Sequence, residues 1–412
     1  MKNVFSSFKI RSSYGKVGNI GGIGDYDTYS QSTSGLYGGL PTLIFSNAGN
    51  RNLKWETSKK FDVGLNFGIL NERINIEVDY FKNDISNLIL RVPQAPSAGL
   101  PNSILANVGK MYNKGIEITL NTVPVRNKNF TWTMNFNYTN IQNRVTELAP
   151  GLTEVLTATS TLETINRTAI GYSVGSIWVV RTIGVDPTTG SRVLLNQLGN
   201  RVLYRFAPKA GQFNWSNEDG TRYNKQDGSV NTINQTADAV MYNSTPKFYG
   251  GLSNSFKYKN FDLDVLLTYQ GGNYVYYGSW AGLHDQRFWN NHVDVLTAWK
   301  QPGDITTVPR PVYSDNVSNG SALPMDYSVF KGDFIKIKDV SLAYNLPSGY
   351  LSKLKINSAR FYVRGTNLYI FTNYPGPDPE VSSNGTSSSA QGVDRNTIAN
   401  GRTITVGVNL GF

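Results

Sequence analysis

Strict period-two alternation over long stretches restricts this chain to β architecture. Phe130, Trp132, Met134, Phe136 and Tyr138 are large and apolar, while Thr131, Thr133, Asn135, Asn137 and Thr139 fill the places between them. Successive side chains of an extended backbone point to opposite faces, so such a segment is a strand with one oily and one wet face. The rule recurs in Phe61, Val63, Leu65, Phe67; in Ile74, Ile76, Val78, Tyr80; in Ile116, Ile118, Leu120; in Phe261, Leu263, Val265, Leu267, Tyr269; and in Ile404, Val406, Val408, Leu410, Phe412. Helical periodicity is confined to a short turn near Asp294 to Lys300.

The pattern predicts ten strands, over residues 5–17, 52–69, 73–91, 104–125, 129–145, 245–258, 261–277, 327–346, 358–372 and 401–412. Several run to about two or three times the five or six residues usual in globular strands. The links between them alternate in length. Those at 70–72, 126–128, 259–260 and 347–357 are short, and those at 18–51, 92–103, 146–244, 278–326 and 373–400 are long. Outer-membrane barrels alternate in this way, with brief periplasmic turns and extended outer loops. Asn127-Lys128, Lys259-Asn260 and Asn71-Glu72 supply the turn chemistry. The expected fold is therefore all-β: a portion of a transmembrane antiparallel β-barrel, with 146–244 and 278–326 as long extracellular loops and outer-membrane lipid as the partner of the apolar rows.

Charged side chains keep to the polar parity. Lys9, Arg11, Lys60, Asp62, Glu77, Asp79, Glu117, Asp262, Asp264, Lys336, Lys338 and Arg364 all alternate with the apolar residues of their strands. A cation on a lipid-facing position at the bilayer midplane costs roughly 2–4 kcal/mol, so lipid exposure enforces this segregation. A soluble sheet with one buried face produces it too; strand length and link alternation decide for the membrane. Tyr14, Trp55, Tyr80, Tyr258 and Tyr344 lie near strand ends, where interfacial aromatics belong.

Composition removes other classes. Charged residues are 17% of the chain, below the roughly 25% of a soluble domain. No Cys is present, which excludes disulfides, thiolate metal sites and a Cys nucleophile, and His284 and His292 are the two histidines. No metal, cofactor or catalytic residue is expected, because no nucleophile, base and orienter converge. Lys and Arg exceed Asp and Glu by 39 to 29, but they are scattered, and no nucleic acid is expected as a partner. No run reaches the roughly 20 apolar residues of a spanning helix. The opening MKNVFSSFKIRSSYGKVGN carries no apolar h-region.

Asn52-Leu53-Lys54-Trp55-Glu56-Thr57, running into FDVGLNFGILNERINIEVDYF, resembles the paired strands of SusC/RagA-type TonB-dependent outer-membrane transporters. FKIRSSYGKVGN, NVGKMYNKGIEITL at 107–120, GYSVGSIWVVRTIGVDPTTG at 171–190, PKFYGGLSNSFKYKNFDLDV at 246–265, FIKIKDVSLAYNLP at 334–347, RFYVRGTNLYIFTNYPGPDPE and RTITVGVNLGF extend the likeness along nearly the whole chain. The resemblance implies energised uptake of glycans, oligosaccharides or peptides across the outer membrane of a Gram-negative, Bacteroidetes-like cell. It implies a SusD-like lipoprotein as partner, and contact with the TonB complex through a plug. It also implies that residues 1–412 are the C-terminal part of the barrel, the N-terminal barrel strands and plug lying outside this chain.

Among loop residues, YVYYGSWAGLHDQRFWNNH at 274–292 sets Tyr276, Tyr277, Trp280, Phe288 and Trp289 beside Asn, His, Asp and Arg. That mixture suits stacking on sugars while bonding their hydroxyls. Trp215 occupies a comparable Asn/Asp-rich stretch. These rings serve equally to pack the loops or to meet a lid. Asp378 and Glu380 in PGPDPE read as loop-shaping residues flanked by Pro377 and Pro379. The Gly-rich start of GIGDYDTY at 22–29 lacks the strand-to-helix context of a phosphate loop. A non-transport outer-membrane binding or adhesin barrel, or a secreted lectin-like β protein, is the alternative function.

Overall fold

The computed structural model describes residues 5–21, 23–93, 97, 103–157, 164–225, 231–285, 287, 290–351, 356–385 and 387–412. Ten strands form one antiparallel sheet whose spatial order is the chain order. They are β1 (Phe5–Asn19), β2 (Glu56–Ile69), β3 (Ile74–Pro93), β4 (Ser103–Arg126), β5 (Phe130–Glu147), β6 (Phe248–Tyr258), β7 (Phe261–Gly271), β8 (Phe334–Asn345), β9 (Ser358–Thr372) and β10 (Thr403–Gly411). Lengths run from 9 to 24 residues, and a tilted strand needs roughly 9–11 to cross the hydrocarbon core. β1 and β10 are the two edges.

Register turns alternation along each strand into rows across the wall. One row runs Phe8, Phe67, Ile76, Leu120, Phe136, Leu252, Leu267, Ile337, Tyr369 through β1 to β9. The next runs Ile10, Leu65, Val78, Ile118, Tyr138, Gly250, Tyr269, Ile335, Phe371. Between them lie Lys9, Asn66, Glu77, Thr119, Asn137, Gly251, Thr268 and Lys336, which face the other way. The apolar rows are open to the surroundings: Ile404 is 69% and Val406 76% exposed. A sandwich would bury them, and among the described residues no second sheet covers them.

Aromatics mark the borders of this apolar band. Phe130, Tyr258, Phe261, Tyr344 and Phe361 stand opposite one another across β5 to β9, at the end joined by the short turns. Tyr138, Tyr269 and Phe371 belong to the row nearer the long links. Phe261 and Tyr269 are eight residues apart on β7, or about 27 Å along the strand, which a tilt of about 35–45° reduces to roughly 19–22 Å of height, close to the apolar band of about 25 Å between two aromatic girdles.

The tight turns use local chemistry. Asn127 Oδ1 accepts the backbone N–H groups of Asn129 (3.0 Å) and Phe130 (2.9 Å), and Lys259 adopts φ +50° at its two-residue turn. One bulge was not expected. Leu266 pairs with Asp339 but Leu267 with Ile337, so Lys338 is the extra residue. It resets the phase of β8, and Ile335, Ile337, Val340 and Leu342 remain on the apolar face although their numbers change parity.

Two expected strands are shorter than their alternation suggested. The segment 261–277 breaks after Gly271, where Gly272 turns at φ +80° and a Cβ would lie 2.8 Å from Lys247 Cβ. The segment 327–346 enters the wall at Phe334. Tyr274–Tyr277 and Val329–Lys331 instead pair with each other, and Tyr274–Tyr277 also runs parallel to Val393–Asp394. They belong to a folded cap that the sequence presented only as long loops.

Two hydrophobic cores hold this cap together. Ile165, Ile177, Val179, Tyr276 and Val393 form one. Val180, Leu194, Val202, Tyr204, Tyr223, Ile233, Leu323 and Met325 form the other. The first draws on all three links at 148–247, 272–333 and 373–402, so no link can bury its apolar residues alone. Two four-stranded sheets carry the intervening chain, one built on Ser176–Val180 and one on Arg192–Leu195. The buried Arg192 guanidinium ties these to the next link, donating to Ser318 O (2.8 Å) and Thr307 O (3.0 Å) beneath the Tyr327 ring.

Candidate functional site

The fourth long link, 272–333, places an aromatic cluster on the cap. Tyr274–Tyr277 is held on both sides by backbone pairing, and its chain continues into the short helix Gly278–Leu283. Tyr277 stacks on Trp280 with centroids 6.1 Å apart and meets Tyr374 at 5.5 Å. Trp280 stands edge-on to Phe330 at 5.8 Å. Both Tyr277 and Trp280 are partly exposed. Tyr374 Oη donates to Asp394 (2.7 Å), and burial together with that carboxylate pushes its phenol far above the usual range. Burial also raises the Tyr277 phenol, with Asp394 adding to the effect.

The structure sorts the residues expected to bind substrate. Tyr277 and Trp280 are brought together. Tyr276 is not available: at 1% exposure its ring belongs to the first cap core, because the parallel pairing with Val393 turns it inward. Phe288 and Trp289 lie outside the described residues. Trp215 sits elsewhere, 4.7 Å from Tyr204 and packed on the second core, where it lines a separate cavity of about 530 Å³ with Gln212, Asn214 and Arg222.

Three arrangements escaped the sequence reading. A cleft of about 470 Å³ is lined by Asn196, Gln197, Asn200, Asn217, Lys225 and Asp238. Its floor is the buried ion pair Lys225–Asp238 (2.9 Å). Side-chain amides both donate and accept, so this cleft suits a ligand rich in hydroxyl or amide groups. The clustering of Asn between residues 196 and 224 was its only sequence signal.

The second arrangement adds to the role given to PGPDPE. Lys336, fully buried on the polar face of β8, donates to Asp378 Oδ2 (3.1 Å) and to Glu380. Asp378 Oδ1 also accepts the Glu380 backbone N–H (3.0 Å). The motif therefore shapes its loop and also clamps the fifth link onto the inner wall. Nearby, Asn137, Gln270 and Glu380 line a cavity of about 350 Å³.

The third involves both histidines. His284 Nε2 lies 2.8 Å from Asp294 Oδ2, and His292 Nδ1 lies 2.5 Å from Asp294 Oδ1. Trp280 packs on both imidazoles, at 4.6 and 5.1 Å. Asp294 belongs to the 3-10 turn Val293–Thr297, where helical periodicity was expected. These three side chains could hold a metal ion. Beside them the buried Asp285 pairs with Arg287 (Nε–Oδ1 2.8 Å); burial alone would raise its carboxyl, but the bonds to Arg287 outweigh this and hold it below the ordinary range.

Comparison with known proteins agrees with the wall's architecture. A family model described as "TonB dependent receptor-like, beta-barrel" matches residues 3–368. TonB-dependent receptor P3 of Formosa agariphila is 30% identical over all of this chain and 40% of its own length. TonB-dependent receptor SusC of Bacteroides thetaiotaomicron is 25% identical over all of this chain and 38% of its own. Among solved structures, that of the RagAB peptide transporter superposes with a TM-score of 0.79 at 24% identity, covering all of this chain and 41% of the other. The chain thus spans about two fifths of the length of these relatives. With its alternating wall, its registered apolar rows and this match, the chain belongs to the TonB-dependent receptor β-barrel family.

Proposed function

We propose that the chain supplies barrel wall and outer loops of a TonB-dependent importer in the outer membrane of a Bacteroidetes-like cell. The single observation that carries this reading is the registered segregation of nine-strand apolar rows from the polar row between them. With the apolar rows exposed, lipid on that side and water on the other make both faces stable. A secreted lectin-like protein would leave the apolar rows in water, so that alternative is disfavoured.

The cap then lies outside the cell as the capture surface. Tyr277 and Trp280 offer flat rings, and the amide-lined cleft offers hydrogen bonds, a combination suited to oligosaccharides; peptides are the second substrate class. A SusD-like lipoprotein would close over the cap, and TonB would act through a plug contributed from beyond these strands.

Because the chain has no cysteine, topology can be tested with single substitutions. Tyr313→Cys lies on an exposed part of the 272–333 link, and Lys128→Cys on a short turn. A membrane-impermeant maleimide applied to intact cells should label the first, and the second only after permeabilisation. Labelling of Lys128→Cys in intact cells, or recovery of the protein in the soluble fraction, would overturn the reading. Uptake of fluorescent oligosaccharides against fluorescent peptides, with and without Trp280→Ala, then assigns the substrate class.

A further inference from the structure

His284, His292 and Asp294 converge in a way their hydrogen bonds alone leave incomplete. His284 is 4% exposed, and its Nδ1 lies 2.7 Å from the Trp280 carbonyl oxygen. A carbonyl only accepts, so Nδ1 carries a proton, and the Nε2 of a neutral ring is a bare lone pair. That lone pair is aimed at Asp294 Oδ2, itself an acceptor, at 2.8 Å. His292 Nδ1 faces the other oxygen of the same carboxylate, Asp294 Oδ1, at 2.5 Å, with the Asp294 backbone N–H 3.4 Å away. Two imidazole nitrogens thus converge on the two oxygens of one carboxylate, an arrangement that either protons or a metal ion can bridge.

We propose that this bridge is a divalent transition-metal ion of the Zn²⁺ class, bound by His284 Nε2, His292 Nδ1 and the Asp294 carboxylate. One ligand atom from each residue lies within 4.8 Å of the others. Tetrahedral bonds of 2.0–2.1 Å place ligand atoms about 3.3 Å apart, within the range these side chains span. Two imidazoles and one carboxylate match the preferences of zinc and leave a fourth position for water. The Trp280 carbonyl fixes the tautomer of His284, as outer partners of metal-bound histidines do. An entry path exists, because the side chains of His292 and Asp294 are 40% and 32% exposed.

The consequence is mechanical. The ion would join the end of helix Gly278–Leu283 to the turn Val293–Thr297, with Trp280 wedged on both imidazoles. It would thereby fix the ring of Trp280 against Tyr277.

The test uses the purified protein in detergent, stripped with EDTA and titrated with ZnCl₂ by calorimetry, and with Co²⁺ by visible absorption. One equivalent of Zn²⁺ should bind, with the intense d–d bands of low-coordinate Co²⁺. The exposed ligand is the informative site: His292→Gln should weaken binding roughly tenfold or more and abolish the bands, and Asp294→Asn should do likewise. These are the only histidines in the chain, so an imidazole–cobalt signal has no other origin. No saturable binding by the parent protein, or binding unchanged in His292→Gln, would overturn the proposal and leave protons as the cation.

Discussion

Replacing Lys336 with Met tests the docking of the fifth link on the wall. Lys336 and Asp378 have side chains only 1% exposed, with Nζ 3.1 Å from Oδ2. At that distance and an effective dielectric near 20, the gross attraction is about 5 kcal/mol. Desolvation of both groups offsets much of it, so the pair itself contributes little net stability. Removing one partner is a different matter. Lys336→Met strands a buried carboxylate, at a cost of about 3–5 kcal/mol. Glu380, with its side chain 31% exposed, is partly solvated and adds less than about 1 kcal/mol. The loss falls on the attachment of residues 373–402, not on the ten-stranded ladder. Cleavage of that link by protease in micelles should accelerate about 100- to 4,000-fold, since each 1.4 kcal/mol is tenfold in the open population. The triple variant Lys336→Met, Asp378→Asn, Glu380→Gln removes all three charges together and should recover most of the protection. Unchanged cleavage in the single variant, or a triple variant worse than the single, would refute the clamp.

Facing can be probed on β10. Val406→Arg should lower stability by roughly 2–4 kcal/mol in bilayers, whereas Thr405→Glu, directly opposite Arg364, should cost little; folding titrations in lipid vesicles decide. Arg at 405 would be a poor control, because it would confront Arg364 across the ladder. In the cap, Ile177→Ala removes a fully buried side chain from the core shared by three links and should cost about 2–4 kcal/mol. Proteolysis should then quicken within 148–247, 272–333 and 373–402 together, while the wall keeps its heat-resistant gel mobility. Release of only one link would contradict a shared core.

What could be read from the residues follows from how local the governing physics is. Facing along a strand is set by neighbours two apart, so the rows through Phe67 and Leu252, the polar side holding Arg11 and Glu77, and the turns at Asn127 and Lys259 were all legible. The bulge at Lys338 was not, because a single extra residue shows only against partner strands. Tyr274–Tyr277 alternates like wall strand, yet Gly272 turns it away into a core completed by Val393, more than a hundred residues later. For the same reason Tyr276 seemed a ligand-binding ring and proved a packing one. Lys336 showed its parity but not its partners, and His284, His292 and Asp294 showed their spacing without the shared carboxylate. Tyr277 and Trp280 are the part of the expected site that the fold assembles.

A nitroxide scan of residues 262–267 on β7 measures the central claim directly, the absence of native cysteine making each label unique. In lipid vesicles, collision with dissolved oxygen should peak at 263, 265 and 267, and collision with a water-soluble nickel chelate at 262, 264 and 266. A flat profile, or nickel contact strongest at Leu263, Val265 and Leu267, would contradict a wall with acyl chains on one face and water on the other.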